Sequence, residues 1–288
     1  MSTENNKPAE AGSGNAVKIF IALIVVMVLF ILFINRGSLL QNYQPDENEQ
    51  TVSGSGKTPN QTPAKDATGA KPTDERQALN QRGADMLEAG DIEGAINIFT
   101  QLVQSKPDDA RSWHNLGIAY TKKRDYPNAI YQFNKAIEIE PQFEAALYNL
   151  GIIYEEQKNS VKALETYKKL LAVNANEKRA LMRIGIIYDE QNKNSDAIEA
   201  YQKAIAADPK YHTAWYNMGN TYLKLKKYDD AISCYQKAID ANPAYANPYV
   251  NMAHCYKFKG NEEKAQELFQ KAVQLDPSLT GNTSKPRK

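Results

Sequence analysis

Residues 110–143 read ARSWHNLGIAYTKKRDYPNAIYQFNKAIEIEPQF. Their marks are Trp113-x-x-Leu116-Gly117-x-x-Tyr120, then Ala129-x-x-x-Phe133, then Pro141. The same marks return along the chain. A small residue stands at Gly83, Gly117, Gly151, Gly185, Gly219 and Ala253, each 34 residues after the last. A second small residue stands at Ala95, Ala129, Ala163, Ala197, Ala231 and Ala265, and four residues after each comes an aromatic: Phe99, Phe133, Tyr167, Tyr201, Tyr235 and Phe269. A proline closes the units at Pro107, Pro141, Pro209, Pro243 and Pro277; the third unit alone departs, with Ala175. A fixed period of this length marks stacked units of supersecondary structure.

These residues resemble the signature of the tetratricopeptide repeat (TPR), a helix–turn–helix unit. The resemblance covers six repeats in register: 76–109, 110–143, 144–177, 178–211, 212–245 and 246–279. It implies an all-α solenoid of paired antiparallel helices, with the proline just beyond the second helix of each pair. The small residues let the two helices of a repeat approach, and the aromatic is expected to fill the space between repeats. Position 21 of the repeat is Ile96, Ile130, Leu164, Ile198 and Ile232, then Gln266. An apolar residue there is expected to face the next repeat and a polar one the end of the stack.

The 288 residues carry a formal charge of +1. That neutrality argues against a general nucleic-acid binder, which needs a basic face. The two cysteines, Cys234 and Cys255, are too few for a disulfide scaffold or a four-ligand zinc site. Both fall in repeat helices and are read as buried thiols, with an inter-repeat disulfide as the alternative in an oxidising compartment.

Ahead of the repeats, residues 1–15 are polar, with no basis for a packed element. An unbroken apolar run then fills residues 19–34, IFIALIVVMVLFILFI. With Lys18 snorkelling, residues 16–35 make one membrane span. A cleaved signal peptide is the alternative, opposed by the long polar lead and by the absence of a small-x-small site after the run. Lys7 and Lys18 precede the span and Arg36 follows it, which favours a cytoplasmic N-terminus. The expected setting is a bacterial inner membrane with the repeats periplasmic; repeats on the cytoplasmic side are the alternative. Residues 36–75 are rich in Gln, Asn, Thr, Ser, Gly and Pro and read as a disordered tether with a reach of roughly 30–35 Å. Within it, Gly54-Ser55-Gly56-Lys57-Thr58 imitates a phosphate loop. Thr51 stands where that pattern needs glycine, and no strand or helix frames it. Residues 280–288 read as a basic disordered tail.

The TPR resemblance further implies that the first helices line a concave groove, with positions 2, 5, 6, 9, 12 and 13 on or near it. Position 6 carries Asn115, Asn149, Asn217 and Asn251, with Gln81 and Arg183 in the other two repeats. This is similar to the asparagine ladder of some TPR proteins, whose amides grip the backbone of an extended peptide. An amide offers both donor and acceptor, so it pairs with a peptide group of any sequence. Local capping or packing is the alternative reading. Position 5 adds His114, Tyr148, Met182 and Tyr216, amphipathic or soft side chains that suit a peptide groove. Arg111, Arg179 and Arg183 can pair with ligand carboxylates. Glu155, Glu156, Asp189 and Glu190 are read first as solvated helix ends and second as a landing for a basic segment.

The first repeat has Asn80 and Ala84 where the chaperone-tail clamp of some TPR domains has Lys and Asn, so that ligand is not expected. His114, His212 and His254 sit at unrelated repeat positions with no nucleophile, metal pair or phosphate cradle beside them. No enzyme activity, cofactor or metal is expected. The reading is a membrane-anchored scaffold, held by residues 19–34, that binds an extended segment of a protein partner in its groove for assembly or recruitment. The alternative is a structural array that self-associates into a membrane-bound homo-oligomer.

Overall fold

The computed structural model describes residues 72–282. Among them are twelve α-helices: α1 (Pro72–Glu88), α2 (Ile92–Ser105), α3 (Ala110–Lys122), α4 (Tyr126–Ile139), α5 (Glu144–Glu156), α6 (Ser160–Val173), α7 (Lys178–Glu190), α8 (Asn194–Ala207), α9 (His212–Lys224), α10 (Tyr228–Ala241), α11 (Ala246–Phe258) and α12 (Glu262–Leu275). A 3₁₀ turn, Pro277–Asn282, packs on α12. The first helix begins at Pro72, inside the stretch read as tether; a proline is harmless at a first helical position because its missing N–H has no partner there anyway. The 3₁₀ turn likewise enters the stretch read as a basic tail. The apolar run 19–34, the polar lead and most of the tether lie outside the described residues. No helix among the described residues is long and apolar enough to cross a membrane.

Each odd-numbered helix ends in the same way. Gly90, Arg124, Lys158, Asn192, Lys226 and Gly260 all have positive φ, between 57° and 83°, at one repeat position. The following amide reaches back to close the helix end, as Asp125 N–H does to the Tyr120 carbonyl and Asn159 N–H to the Tyr154 carbonyl. This left-handed cap reverses the chain within a few residues and satisfies the terminal carbonyls. The next helix then starts on a side-chain cap in four repeats: Asp91, Asp125, Asn159 and Asn261 each accept from the backbone N–H three residues on. Lys193 and Lys227 hold that place in the other two and cap nothing.

The two helices of a repeat lock through the glycine and the aromatic. A Cβ built on Gly83, Gly117, Gly151, Gly185 or Gly219 would lie no more than 2.7 Å from the ring of Phe99, Phe133, Tyr167, Tyr201 or Tyr235 respectively. Those rings are at most 2% exposed. The aromatic therefore packs against its own repeat's first helix and also joins the core shared with the next repeat, as Phe133 does with Leu150 and Tyr167 with Ile184. The bare glycine backbone is a second docking surface for the ring, in addition to the expected one between repeats. Burying each ring is worth roughly 1.5–3 kcal/mol.

Neighbouring repeats share continuous cores. One cluster joins Leu147, Tyr167 and Leu170 to Ala180, Ile184 and Ile187 across the third and fourth repeats. Polar ties repeat as well. Trp113 Nε1 donates to the Pro107 carbonyl at 2.8 Å, Trp215 Nε1 to Pro209 at 3.0 Å, and the Tyr249 hydroxyl to Pro243 at 3.3 Å. At position 21, Ile96, Ile130, Leu164, Ile198 and Ile232 pack into the clusters, whereas Gln266 is exposed. Successive odd helices also touch one another, α3 with α5, α7 with α9, and α9 with α11; no successive even helices approach as closely among the described residues. The odd helices are thus the ones that meet across repeats, on the side that the resemblance assigns to the groove.

Candidate functional site: the inner face of the array

The odd helices bring the position 5 and position 6 side chains into one row, and hydrogen bonds tie that row from repeat to repeat. Asn115 Nδ2 donates to Asn80 Oδ1 at 2.7 Å. Asn149 Nδ2 lies 3.0 Å from His114 Nε2, and His114 Nδ1 lies 3.3 Å from Asn115 Oδ1. With the ring neutral and its proton on Nδ1, these contacts form one chain from Asn149 through His114 and Asn115 to Asn80. Asn251 Nδ2 donates to the Tyr216 hydroxyl at 3.2 Å and to Asn220 Oδ1 at 2.8 Å. Asn217 makes no side-chain hydrogen bond among the described residues. All four asparagines are half-buried. Three of them thus bridge repeats.

Position 5 is deeper than the sequence suggested. His114, Tyr148 and Tyr216 are 4%, 7% and 2% exposed, so they form the floor beneath the asparagines. His114 sits between the rings of Phe133 and Phe143, at 5.6 and 4.9 Å. Burial drives its pKa down to about 4, against a smaller upward pull from the bond to Asn115. Burial likewise raises the pKa of the Tyr216 hydroxyl, which stays neutral.

The arginines differ from one another. Arg111 is exposed and has no ion-pair partner among the described residues. Arg179 is held by Glu177, Nε to Oε1 at 2.9 Å and Nη2 to Oε2 at 3.0 Å, and stacks 4.4 Å from the Tyr148 ring centre. Burial alone pushes the Glu177 carboxyl up, but the bonds and charge of Arg179 outweigh it and hold the group below its ordinary range. Arg183 Nη1 lies 3.8 Å from Glu155 Oε2.

Two of the carboxylates read as solvated are structural. Glu155 accepts from the buried Tyr167 hydroxyl while facing Arg183. Asp189 accepts from the buried Thr221 hydroxyl at 2.9 Å and lies 3.6 Å from Lys224. Position 12 looks half inward, so its carboxylates reach buried hydroxyls; Glu156 and Glu190, one residue on, are exposed. The sequence reading also missed Asn220, the one amide at position 9, whose Oδ1 accepts from the Tyr235 hydroxyl at 2.9 Å. Ala84, Ile118, Ile152, Ile186 and His254 hold that position in the other repeats, and the contrast was the available signal. Cys234 and Cys255 are free, buried thiols with no bond between them.

Among the described residues no group of His, Cys, Asp or Glu is placed to hold a metal. The family models that match are repeat units: tetratricopeptide repeat over residues 110–143, 133–165, 212–245 and 246–279, and TPR repeat over 185–226. Together they span 110–165 and 185–279, over half of the chain.

The chain belongs to the tetratricopeptide repeat family.

TPR arrays are typically protein-interaction modules. No match is found among curated proteins. Among solved structures the array is similar to MamA, with a TM-score of 0.53 and 26% identity, over 58% of this chain and 97% of that one. It is similar to YrrB, described as a TPR protein with an unusual peptide-binding site, at a TM-score of 0.51 and 21% identity, over 62% and 92%. Pseudomonas aeruginosa PilF matches with a TM-score of 0.62 and 19% identity, over 72% and 95%. The last two likenesses are of fold alone.

Proposed function

We propose that the chain is a membrane-tethered TPR scaffold that holds an extended segment of a partner protein along its inner face. The observation that carries this reading is the row Asn115, Asn149, Asn217 and Asn251, three of them held in fixed orientation by bonds to the preceding repeat. Amides fixed in advance lose little freedom when a ligand docks, which favours binding. Arg111 and Glu156 add charge at its edges. The apolar run 19–34 supplies the membrane anchor and the Thr/Gly/Pro-rich stretch after it the tether. The two-to-one basic bias around the run puts the repeats outside the cytoplasm. YrrB, a TPR protein with a peptide-binding site, lends the array a precedent.

A photo-crosslinking residue in the full-length chain, in its native membranes, tests this. Placed at Ile152 on the inner side, it should capture a partner protein; placed at Val161 on the second helix of the same repeat, 77% exposed, it should not. A second reading, self-association through the outer helices, is favoured by the exposed Tyr131, Ile139, Val161 and Val173 on α4 and α6. Crosslinks to copies of the chain from Val161, with none to other proteins from Ile152, would replace the first reading by the second. Protease accessibility of the repeats in sealed membranes tests the orientation: digestion from the cytoplasmic side alone would reverse it.

A further inference from the structure

The junction between the third and fourth repeats is built differently from the others. The closing proline is missing there alone, replaced by Ala175. Elsewhere Trp113, Trp215 and Tyr249 at position 4 donate back to the carbonyl of the preceding proline, but Leu181 stands in that place here. The junction before it also lacks the tie, at Leu147, yet keeps Pro141. In addition, α6 and α7 are the least closely packed of the consecutive helix pairs. The backbone does not impose the loss of the proline. Asn174, at φ −135° and ψ 93°, matches Glu140 at −128° and 91° and Asp208 at −145° and 100°, which both precede prolines. That extended conformation is the one a following proline demands. The Ala175 N–H makes no hydrogen bond among the described residues.

On the inner side the same junction is crossed by charge. Arg183 stands where the row has its amides, with Nη1 3.8 Å from Glu155 Oε2, and the Arg179 guanidinium stacks 4.4 Å from the Tyr148 ring centre. The junctions on either side use hydrogen bonds instead, Asn149 with His114 at 3.0 Å and Thr221 to Asp189 at 2.9 Å. A hydrogen bond weakens steeply once its angle bends. Attraction between charges falls only with the inverse of distance, and a guanidinium keeps its attraction as it slides over a ring face. The charged contacts therefore persist through a rotation that would break their neighbours. In a stacked array each interface is local, so bending concentrates at the weakest one. We infer that the junction between repeats 3 and 4 is a hinge, at which repeats 1–3 and repeats 4–6 turn against each other about the Arg183–Glu155 and Arg179–Tyr148 contacts. Turning there sets the angle between the inner faces of the two blocks. The inference does not depend on what the inner face binds.

Distances between spin labels on the full-length chain in detergent test this. Lys169, Lys203 and Lys237 are exposed at one repeat position on successive second helices. Labels on Lys169→Cys and Lys203→Cys span the hinge, and labels on Lys203→Cys and Lys237→Cys span the next junction. Cys234 and Cys255 are buried and stay unlabelled. The first pair should give the broader distance distribution, and Ala175→Pro should narrow it toward the second. Glu155→Gln keeps an acceptor for the Tyr167 hydroxyl and removes only the charge facing Arg183. It should widen the first distribution and leave the second as it was. Equal widths for the two pairs in the wild-type chain would refute the hinge. A broad first pair that Ala175→Pro leaves unchanged would overturn the role of the turn, and one that Glu155→Gln leaves unchanged would overturn the charged pivot. Should Ala175→Pro fail to fold, the wild-type comparison and Glu155→Gln still decide.

Discussion

His114 makes stability at the second and third repeats depend on mild acid. Its ring is 4% exposed between two phenylalanines, and Nε2 accepts from Asn149. Protonation would place a cation among apolar rings and turn that acceptor into a donor facing another donor. The pKa accordingly falls from 6.5 to about 4, burial being the main cause. The sign follows from which state binds the proton. Between these values the unfolded chain is protonated and the folded one is not, so unfolding takes up a proton and stability falls as pH falls. The contribution is fully present above about pH 6.5 and fades toward about pH 4. Going from about pH 7 to about pH 5 then removes about 2 kcal/mol, and the melting midpoint drops by about 4–8 °C for an array of this size. His114→Gln keeps an acceptor for Asn149 and cannot titrate. Glu177 and Asp208, whose carboxyls are held below their ordinary range by Arg179 and Lys178, lose their share only at lower pH and do so equally in both chains. With Trp215→Phe in each background, Trp113 fluorescence reports unfolding beside the second repeat. An equal pH-dependent loss with and without the histidine would refute the linkage.

Gly117→Ala would press a Cβ to 2.7 Å from the Phe133 ring, and overpacking of this kind costs about 1–3 kcal/mol, readable in the denaturant midpoint. Lys158→Gly should stabilise: a non-glycine at φ 57° carries about 1–2 kcal/mol of strain. Glycine's extra freedom in the unfolded chain returns about 0.5–1 kcal/mol of that, which leaves a net gain in the same chemical-denaturation assay. Cys234 and Cys255 should resist alkylation in the folded chain at neutral pH, because burial pushes their thiols up to about 12 and about 11, and both should label once urea unfolds the array.

The repeating frame was legible because one physical requirement recurs at each marked place. A ring that must lie on bare backbone demands glycine opposite an aromatic, and it does so at Gly117 and Phe133 as at Gly219 and Tyr235. The helix-ending position was half legible: Gly90, Asn192 and Gly260 share it, and these residues tolerate positive φ, but Arg124, Lys158 and Lys226 hide it. The direction of a side chain that can look either way was not legible. Glu155 and Asp189 sit on inner helices exactly as solvated acids would in a linear reading, and only the placement of Tyr167 and Thr221 beneath them shows what they bind. The same holds for Asn220, whose use depends on a tyrosine fifteen residues further on and an asparagine in the next repeat.

Structure and recognition are superimposed on the position 6 asparagines, and this decides which substitutions can separate them. Asn115 and Asn251 each donate to the repeat before them, so truncating either removes a bond that ties a junction of the stack. In an array whose stability is a sum of repeat and interface terms, a weakened junction alters the curvature and spacing of every site beyond it. Lost binding in such a variant therefore has two causes that no binding assay can part. Asn217 escapes the difficulty, since it makes no side-chain hydrogen bond among the described residues. If Asn217→Ala weakens partner binding while the denaturant midpoint holds, the row acts as a ligand ladder. If only the substitutions that break junction bonds matter, the asparagines serve the stack, and recognition lies with the charged edge at Arg111 and Glu156.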